Sequence, residues 1–221
     1  MSVVSRIKMT LSRIRTMLYF IKADYWIPLV AKYGSFGNNS YIWVPSTLDN
    51  PTNIFLGDNV RIKPHNKMLA VGNGRIIIKD NVDIAVGFTA VSSNHRQLPG
   101  TIRNGKNDDN EYRDIIIEED VWIGANVTLL AGAHIGRGAI IGAGAVVRGQ
   151  KIPPYAVVIG NPAKVIRFKF SLEEIVEHEK QIYEEQDRIH EQILKDNYAK
   201  YYTSVVSDIK QYKSLHMVQL L

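Results

Sequence analysis

Aliphatic residues recur at every sixth position through the centre of the chain. The positions that share this register are Ile117, Ile123, Leu129, Ile135, Ile141 and Val147, with Ile159 and Val165 beyond a step at Pro153. This period differs from the ~3.6 residues of an α-helix, and the glycines of "IGRG" and "IGAG" would break a helix at every turn. The pattern predicts short parallel strands joined by tight turns, stacked as a β-helix with inward aliphatic side chains.

Two further features support this β-helix. Small or β-branched residues stand four positions after the aliphatic ones, at Val121, Val127, Ala133, Ala139 and Ala145. An earlier stretch repeats the unit, at Leu56, Val60 and Ile62 and then at Ile78, Val82 and Ile84. Because each coil buries its core only against its neighbours, we predict one mainly β domain over residues 41–170.

Residues 96–116 interrupt the period. They contain Gly100, Gly105 and the polar run "KNDDNE", which is unsuited to the interior of a coil. We therefore predict a polar loop inserted into the β-helix directly after His95.

The N-terminal residues follow a helical pattern. Within residues 1–22 the apolar positions are Val4, Ile7, Leu11, Ile14, Leu18 and Ile21, in steps of three and four. This spacing predicts an amphipathic helix that ends before Pro28, within an N-terminal segment of residues 1–40. Such a helix either packs in the core or an oligomer, or docks on an anionic membrane surface, since its polar face is basic.

The C-terminal residues 171–221 are predicted to form a helical extension. Ser171 and Glu174 have the spacing of a capping box. One face of a long charged helix would carry Leu172, Ile175, Ile182, Ile189 and Ile193. This pattern indicates a helix that packs against a partner surface, and residues 203–221 carry no clear pattern.

Composition narrows the functional classes. The chain has 221 residues, 45% hydrophobic and 22% charged, which suits a globular protein, and no apolar run is long enough for a transmembrane helix. The absence of Cys excludes disulfides, thiolate nucleophiles and Cys-based zinc sites. The bases of residues 1–22 are scattered among apolar positions, which is not typical of a cleavable signal peptide. We therefore expect a protein that lies either free in the cytoplasm or peripherally at the inner face of the membrane.

The net charge of +5 is concentrated in two regions that contain no acid. Residues 1–22 carry five bases, at positions 6, 8, 13, 15 and 22. Residues 121–172 carry six, at positions 137, 148, 151, 164, 167 and 169. Basic regions of this kind indicate anionic partners. The bases are not interleaved with stacking aromatic residues, so we expect no nucleic-acid binding.

The repeat also resembles a known family. The run "VWIGANVTLLAGAHIGRGAIIGAGAVV" followed by "IPPYAVVIGNPAKVIR" is similar to hexapeptide-repeat acyltransferases, specifically sugar O-acetyltransferases related to galactoside, maltose and nodulation-factor acetyltransferases. The resemblance extends from about Leu56 to Arg167. It implies a left-handed parallel β-helix with three hexapeptides per coil, a homotrimer with active sites between subunits, acetyl-coenzyme A (acetyl-CoA) as donor, and no metal.

The resemblance implies that His95 is catalytic. Family members carry a catalytic His just before an inserted loop, and "IAVGFTAVSSNH" places His95 there. A sugar hydroxyl is a poor nucleophile near neutral pH, so a base must take its proton as it attacks the thioester carbonyl. Neutral imidazole suits this role, since its ordinary pKa is about 6.5. Asn94 beside it either orients the loop or caps a turn.

The acceptor contacts are harder to carry over. In galactoside-type enzymes an Asn one or two coils earlier holds the sugar, but "RIKPHNKMLAVGNG" is about two residues longer than the usual spacing. The matching position is therefore Lys63, His65 or Asn66, and we favour His65 and Asn66 over a purely structural turn. Trp122 should point outward and contact either a neighbouring subunit or the sugar.

The donor contacts follow from family position. Backbone groups at Ala125 and Ala143 would bind the pantetheine arm. The phosphates would be met by basic side chains of the acid-free region, namely Arg148 or Lys151, Lys164 and Arg167. "VVRGQKIPP" is one residue longer than the family pattern, so Arg148 and Lys151 compete for one role. Ala125 replaces a Ser of the galactoside enzyme, which leaves only backbone contacts there.

Three other functions are alternatives to O-acetylation of a sugar. A zinc-dependent hydratase of this fold holds its metal with three His, but between His95 and His134 the chain has none, which argues against it. A non-catalytic trimeric scaffold would not need His95 beside an intact donor stretch. N-acetylation of a nucleotide-linked amino sugar or a xenobiotic would use the same base and donor. The sequence favours an acetyl-CoA-dependent O-acetyltransferase of a saccharide, in surface polysaccharide synthesis or on a lipid-linked precursor.

Overall fold

The repeat folds into short strands that wind around one apolar interior. The computed structural model describes residues 3–95, 99–100 and 110–201. Within these ranges the strands are, in chain order, β1 (Ser35–Phe36), β2 (Tyr41–Ile42), β3 (Ser46–Asp49), β4 (Ile54–Leu56), β5 (Arg61–Ile62), β6 (Asn66–Leu69), β7 (Ile76–Ile78), β8 (Asp83–Ile84), β9 (Thr89–Val91), β10 (Ser93–His95), β11 (Asn110–Tyr112), β12 (Ile115–Ile117), β13 (Trp122–Ile123), β14 (Thr128–Leu130), β15 (His134–Ile135), β16 (Ile140–Ile141), β17 (Val146–Arg148), β18 (Lys151–Ile152), β19 (Ala156–Ile159) and β20 (Lys164–Phe168).

The strands form three sheets that face one another as the sides of a prism. Sheet A has the order β1-β4-β7-β12-β15-β18, sheet B the order β2-β5-β8-β13-β16-β19-β20, and sheet C the order β17-β14-β9-β6-β3. Successive strands of the chain pass from sheet A to B to C, and pairing within each sheet is parallel except at β20. The chain therefore forms a parallel β-solenoid of about six turns, which confirms the predicted β-helix.

In-register stacking fills the interior. Ile123 pairs with Ile84 below and Ile141 above, and all three side chains are buried. The small or β-branched residues that stand four positions after the aliphatic ones, from Val121 to Ala145, are buried as well. Gly124 lets the coils approach, because a Cβ there would lie 2.6 Å from the backbone nitrogen of Ala143.

The turns between sheets A and B share one local chemistry. Asn39, Asn59 and Asn81 adopt left-handed backbone conformations, which asparagine tolerates better than most residues. Their side chains bond in a ladder, with Asn59 Nδ2 donating to Asn81 Oδ1 at 3.1 Å. The side-chain bonds thus reinforce stacking at this edge of the prism.

The register predicted beyond Pro153 was wrong. Ile152 and Val158 are the buried residues, whereas Ile159 is 46% exposed. The step between the paired Ile135 and Ile152 is 17 residues, one fewer than the step of 18 between Ile117 and Ile135 in the preceding coil, and the missing residue is in the turn before Lys151. Val165 is not in a further coil, because β20 turns back antiparallel to β19 and closes the solenoid.

The C-terminal extension contains two helices where one long helix was predicted. α3 (Leu172–Ile182) begins with the expected capping box of Ser171 and Glu174. The chain then leaves the helix at Tyr183, passes through a 3₁₀ turn (Glu185–Asp187), and enters α4 over residues 191–201. The Arg188 guanidinium donates to the carbonyls of Tyr183 and Lys180, which satisfies the end of α3. Ile182 and Ile193, placed on the predicted apolar face, are exposed.

A buried carboxylate holds this extension on the last coil. Glu179 is 2% exposed and accepts hydrogen bonds from the Tyr155 hydroxyl, from Arg137 Nη1 at 2.9 Å and from the Ile189 amide at 2.8 Å. Arg137 also bonds to Glu119. The three donors compensate the desolvated charge, so the contact fixes the extension in one position.

The N-terminal helix is longer than predicted. α1 (Val3–Ile21) continues through a π-helical turn (Lys22–Trp26) into α2 (Ile27–Val30), so the helix passes Pro28. The wider turn directly precedes the proline, whose ring would crowd a regular α-helical turn. Among the residues described, no helix is long and apolar enough to cross a membrane. The solenoid then starts at Ser35, earlier than the predicted residue 41.

Candidate functional site

His95 lies on a hairpin that projects from the corner where sheet C passes to sheet A. β10 and β11 pair antiparallel, with His95 opposite Asn110 and Asn94 opposite Glu111. Of the predicted loop, residues 96–98 and 101–109 lie outside the described residues, and Ile115 and Ile116 belong to the coil as part of β12. The insertion thus leaves the solenoid after Ser92 and rejoins it at Ile115.

The hairpin is supported from the coils on both sides. The amide of Arg113 donates to the carbonyl of the buried Ser92 at 2.9 Å, which closes the base of the hairpin. The Tyr112 ring covers Gly72 in the coil below, and the Arg113 side chain lies against Gly132 in the coil above. These contacts give the residues next to β10 a fixed position relative to the prism.

The imidazole of His95 is exposed at this corner, as is the Asn94 side chain. It is therefore outside the apolar interior, where a polar ring would need a buried partner. An exposed imidazole on a supported hairpin can reach the hydroxyl of a bound molecule.

The predicted acceptor contacts lie at a different corner, where sheet B passes to sheet C. Lys63 and His65 are exposed, and His65 has a φ of 63° in the turn. Asn66 is 1% exposed, and its Nδ2 donates to Ser46 Oγ at 2.6 Å and to the Lys63 carbonyl at 3.0 Å. This burial favours a structural role for Asn66 over contact with an acceptor, whereas His65 and Lys63 remain accessible.

The predicted pantetheine contacts stack along that same sheet B–C corner, with Ala125 two coils and Ala143 three coils above His65. Ala143 is exposed and Ala125 is half-buried. The Gly144 amide donates to the Ala125 carbonyl at 2.8 Å, so successive turns are bonded directly. Trp122, 56% exposed, precedes this corner on the outer face of sheet B, as predicted from its alternation with Val121 and Ile123.

The four predicted phosphate contacts lie at the C-terminal end of the solenoid, in two places. Arg148 ends β17 and Lys151 begins β18, which places both at the sheet C–A corner. Lys164 and Arg167 lie on β20, the last strand of sheet B. All four side chains are exposed. One chain therefore divides the predicted site between two corners. The sheet C–A corner carries His95, Arg148 and Lys151, and the sheet B–C corner carries Ala125, Ala143 and Lys164.

A further polar cluster on sheet A was not predicted as a site. His134 Nε2 bonds to Glu118 Oε1 at 2.7 Å, and Lys79 pairs with the same carboxylate. The hydrogen bond from His134, with the added charge of Lys79, lowers the pKa of Glu118 to about 2. The cluster borders a cavity of about 370 Å³ whose lining includes Lys151 and Asn197. The cluster forms because β12 stacks on β15, which sets Glu118 beside His134.

This cluster does not resemble a metal site. Within the described part of the chain, no group of three His, Asp or Glu side chains could hold a metal ion. The three His of the coils and their hairpin are also far apart in the fold: His65 lies at the sheet B–C corner, His95 on the sheet C–A hairpin and His134 on the face of sheet A.

Known proteins similar to this chain share the hexapeptide repeat or are named as acetyltransferases. A family model of the bacterial transferase hexapeptide (six repeats) matches residues 114–149. A Saccharomyces cerevisiae protein named as an acetyltransferase is 36% identical over 140 residues, which cover 61% of this chain and 65% of that protein. The match therefore spans slightly less than two thirds of that relative's length.

Solved structures extend the similarity to the fold. A hexapeptide-repeat acetyltransferase from Vibrio cholerae, crystallised with acetyl coenzyme A, is 31% identical with a TM-score of 0.56, covering 62% of this chain and 71% of that one. A maltose O-acetyltransferase from Clostridium difficile is also 31% identical with a TM-score of 0.56, over 62% and 70% of the two chains. With the stacked six-residue repeats and these matches, the chain belongs to the hexapeptide-repeat acetyltransferases.

Proposed function

We propose that this protein is an acetyl-CoA-dependent O-acetyltransferase that acts on a saccharide hydroxyl, in the synthesis of a surface polysaccharide or of its lipid-linked precursor. The observation that carries the proposal is the exposed His95 on a hairpin braced against the solenoid of a hexapeptide-repeat acetyltransferase. The Vibrio neighbour with acetyl coenzyme A supports the donor, and the Clostridium maltose O-acetyltransferase supports the class of acceptor.

The chemistry needs one base at the reacting atoms. Acetyl-CoA supplies a thioester carbonyl, and neutral His95 accepts the proton of the sugar hydroxyl as its oxygen bonds to that carbonyl carbon. The carbon–sulfur bond then breaks, and the protonated imidazole returns the proton to the leaving thiolate. The products are the acetyl ester and coenzyme A, and no step requires a metal.

The donor fits the charge of the predicted contacts. Arg148, Lys151, Lys164 and Arg167 are exposed and belong to a stretch from 121 to 172 that has no acid. A polyanionic nucleotide is attracted to such a region. Ala125 and Ala143 line the corner that leads from Trp122 toward this basic end.

The division of the site between two corners supports active sites shared between neighbouring subunits, as a homotrimer would have. If His95 acts on a donor held beside Ala125 and Ala143, a second copy must bring its sheet C–A corner to the first copy's sheet B–C corner. A closed ring of such heterologous contacts satisfies each copy equally. We therefore propose active sites between subunits, with the hairpin of one subunit facing His65 and Trp122 of the next.

Release of free thiol measures the reaction directly. Purified protein would be incubated with acetyl-CoA and a panel of sugars, nucleotide-sugars and amines. We expect turnover with a sugar hydroxyl, and His95→Ala should reduce kcat by about 10²–10⁴-fold, the usual worth of general-base catalysis. His190→Ala, which removes another exposed imidazole, is the matched control and should retain the rate.

Each other outcome would change the assignment. Faster transfer to amines than to hydroxyls would identify an N-acetyltransferase of an amino sugar or a xenobiotic. Full activity of His95→Ala would remove the proposed base. Absence of turnover across the panel, with no binding of acetyl-CoA by calorimetry, would favour a non-catalytic scaffold. We place the reaction in the cytoplasm, in keeping with the Cys-free chain, and fractionation of cells would test this location.

A further inference from the structure

The exposed apolar side chains are concentrated at the N-terminal end of the solenoid. Among the described side chains, twenty large apolar residues are exposed, and thirteen of them fall within residues 14–43. These thirteen are Ile14, Met17, Leu18, Tyr19, Phe20, Ile21, Tyr25, Trp26, Leu29, Val30, Phe36, Tyr41 and Trp43. A contiguous apolar patch of this kind marks an interaction surface.

Within the helical part of this surface, residues 17–21 are apolar on every side. Met17 to Ile21 are five consecutive large apolar residues, each at least 48% exposed. Successive residues of a helix advance by about 100°, so these five span the full circumference. A helical stretch that is apolar all round is normally buried, in a protein core or in lipid, so exposure of this one to water indicates a missing apolar environment.

The charge of the same segment favours an anionic surface. Arg13, Arg15 and Lys22 are exposed beside the apolar residues, and residues 1–22 contain no acid. The first acid, Asp24, accepts a hydrogen bond from Thr47 Oγ1 at 2.8 Å. Tyr19, Tyr25 and Trp26 add aromatic rings of the kind enriched where a bilayer meets water.

The helix is attached to the solenoid at a defined place. Asp24 bonds to β3 through Thr47, Pro28 is buried, and the Tyr33 hydroxyl donates to the Pro28 carbonyl at 2.7 Å. Phe36 and Tyr41, on β1 and β2, extend the apolar surface onto the first coil. The opposite end of the solenoid carries the basic residues of β17 to β20.

We propose that residues 13–43, the basal platform, bind an anionic phospholipid bilayer at its surface and hold the first coil of the solenoid against it. The apolar and aromatic side chains enter the interfacial region, and Arg13, Arg15 and Lys22 meet the lipid headgroups. This surface includes the first coil, so it is larger than the amphipathic helix expected from residues 1–22. Docking would bring the enzyme to lipid-linked molecules.

Vesicle co-sedimentation of the full chain tests the proposal. The probes are vesicles of phosphatidylcholine alone and of phosphatidylcholine mixed equally with phosphatidylglycerol. We expect binding to the mixed vesicles that weakens with salt. The double variant Phe20→Ser/Trp26→Ser should bind at least ~10-fold more weakly, since two large apolar side chains leave the interface. Ile182→Ser/Ile193→Ser, which changes equally exposed apolar residues elsewhere, should bind as the unmodified chain does.

The alternative occupant is a second copy of the chain. Light scattering after size exclusion, without lipid, would show whether Phe20→Ser/Trp26→Ser keeps the oligomeric state of the unmodified chain, as the proposal requires. A change of oligomeric state would assign the surface to a subunit interface and overturn the proposal. Equal vesicle binding by the two double variants would also overturn it.

A charge variant keeps the test decisive if the apolar variant folds poorly. Arg13→Glu/Arg15→Glu/Lys22→Glu should lose the preference for phosphatidylglycerol, because each base near an anionic surface contributes about fivefold to binding. Retention of that preference would contradict the proposal. The binding readout needs no turnover, so its failure would leave the acetyltransferase assignment intact.

Discussion

Gly72→Ala is expected to slow the enzyme from a position remote from the reacting atoms. Gly72 has a φ of +57°, and a Cβ there would lie 2.5 Å from Cε1 of Tyr112. Ordinary contacts between carbon atoms are about 3.5–4.0 Å, so the ring must move by about 1 Å or more. Tyr112 is paired with Ser93 in the hairpin of His95, and its movement displaces the brace of that hairpin.

The effects on stability and on rate should differ in size. Tyr112 is 39% exposed, so its ring can swing toward solvent. The loss of stability is then mainly the left-handed backbone penalty of about 1–2 kcal/mol, or a fall in Tm of about 3–6 °C. Misplacement of a catalytic group by about 1 Å lowers kcat by about 10–100-fold. Thiol-release kinetics and thermal melts measure the two effects separately.

A double-mutant cycle identifies the cause. In a Tyr112→Ala background the added methyl group meets no ring, so Gly72→Ala should lower kcat little further. An equal loss of kcat in both backgrounds would show that the Tyr112 contact is not responsible. An unchanged kcat in Gly72→Ala, despite a lower Tm, would refute the claim that this brace positions His95.

Two other predictions concern stability. Glu179→Ala should lower the free energy of unfolding by about 3 kcal/mol, because the Tyr155 hydroxyl and the Ile189 amide lose a buried acceptor; a loss below about 1 kcal/mol in urea unfolding would contradict this. The pKa of Glu118 is lowered beside His134, so its ionised form should contribute about 1 kcal/mol to the free energy of unfolding after solvent screening. This contribution is present above pH 4.5 and is lost as pH falls toward about 2. Glu118→Gln should lack this pH dependence. If acid-unfolding curves of the unmodified chain and of Glu118→Gln ran parallel, the stabilising contribution of the Glu118 carboxylate would be excluded.

The solenoid could be predicted from the sequence because its signal is local. Each coil repeats the same inward positions, and residues such as Ile123 and Ile141 are buried whichever coil they occupy. The capping box at Ser171 is likewise read within a few residues. The position of His95 outside the interior followed from the break in the period.

The arrangement of the site could not be predicted in the same way. The coils differ in their number of residues. The corner at which His95 or Ala125 lies therefore cannot be found by counting along the sequence. Asn66 matched an acceptor position by sequence but is buried against Ser46, in the preceding coil. The separation of the corners, and hence the case for contribution by a second copy, came from the assembled sheets.

The sequence by itself determined the parallel coil, its inward residues as far as Val147 and, to within about three residues, the place of the insertion, because these depend on the period of neighbouring residues. Only the tertiary structure decided the shift in register at Ile152, the break between α3 and α4, and the support of the hairpin by Gly72. Those features depend on contacts between coils, or between a coil and the extension, and such contacts join residues far apart in the chain.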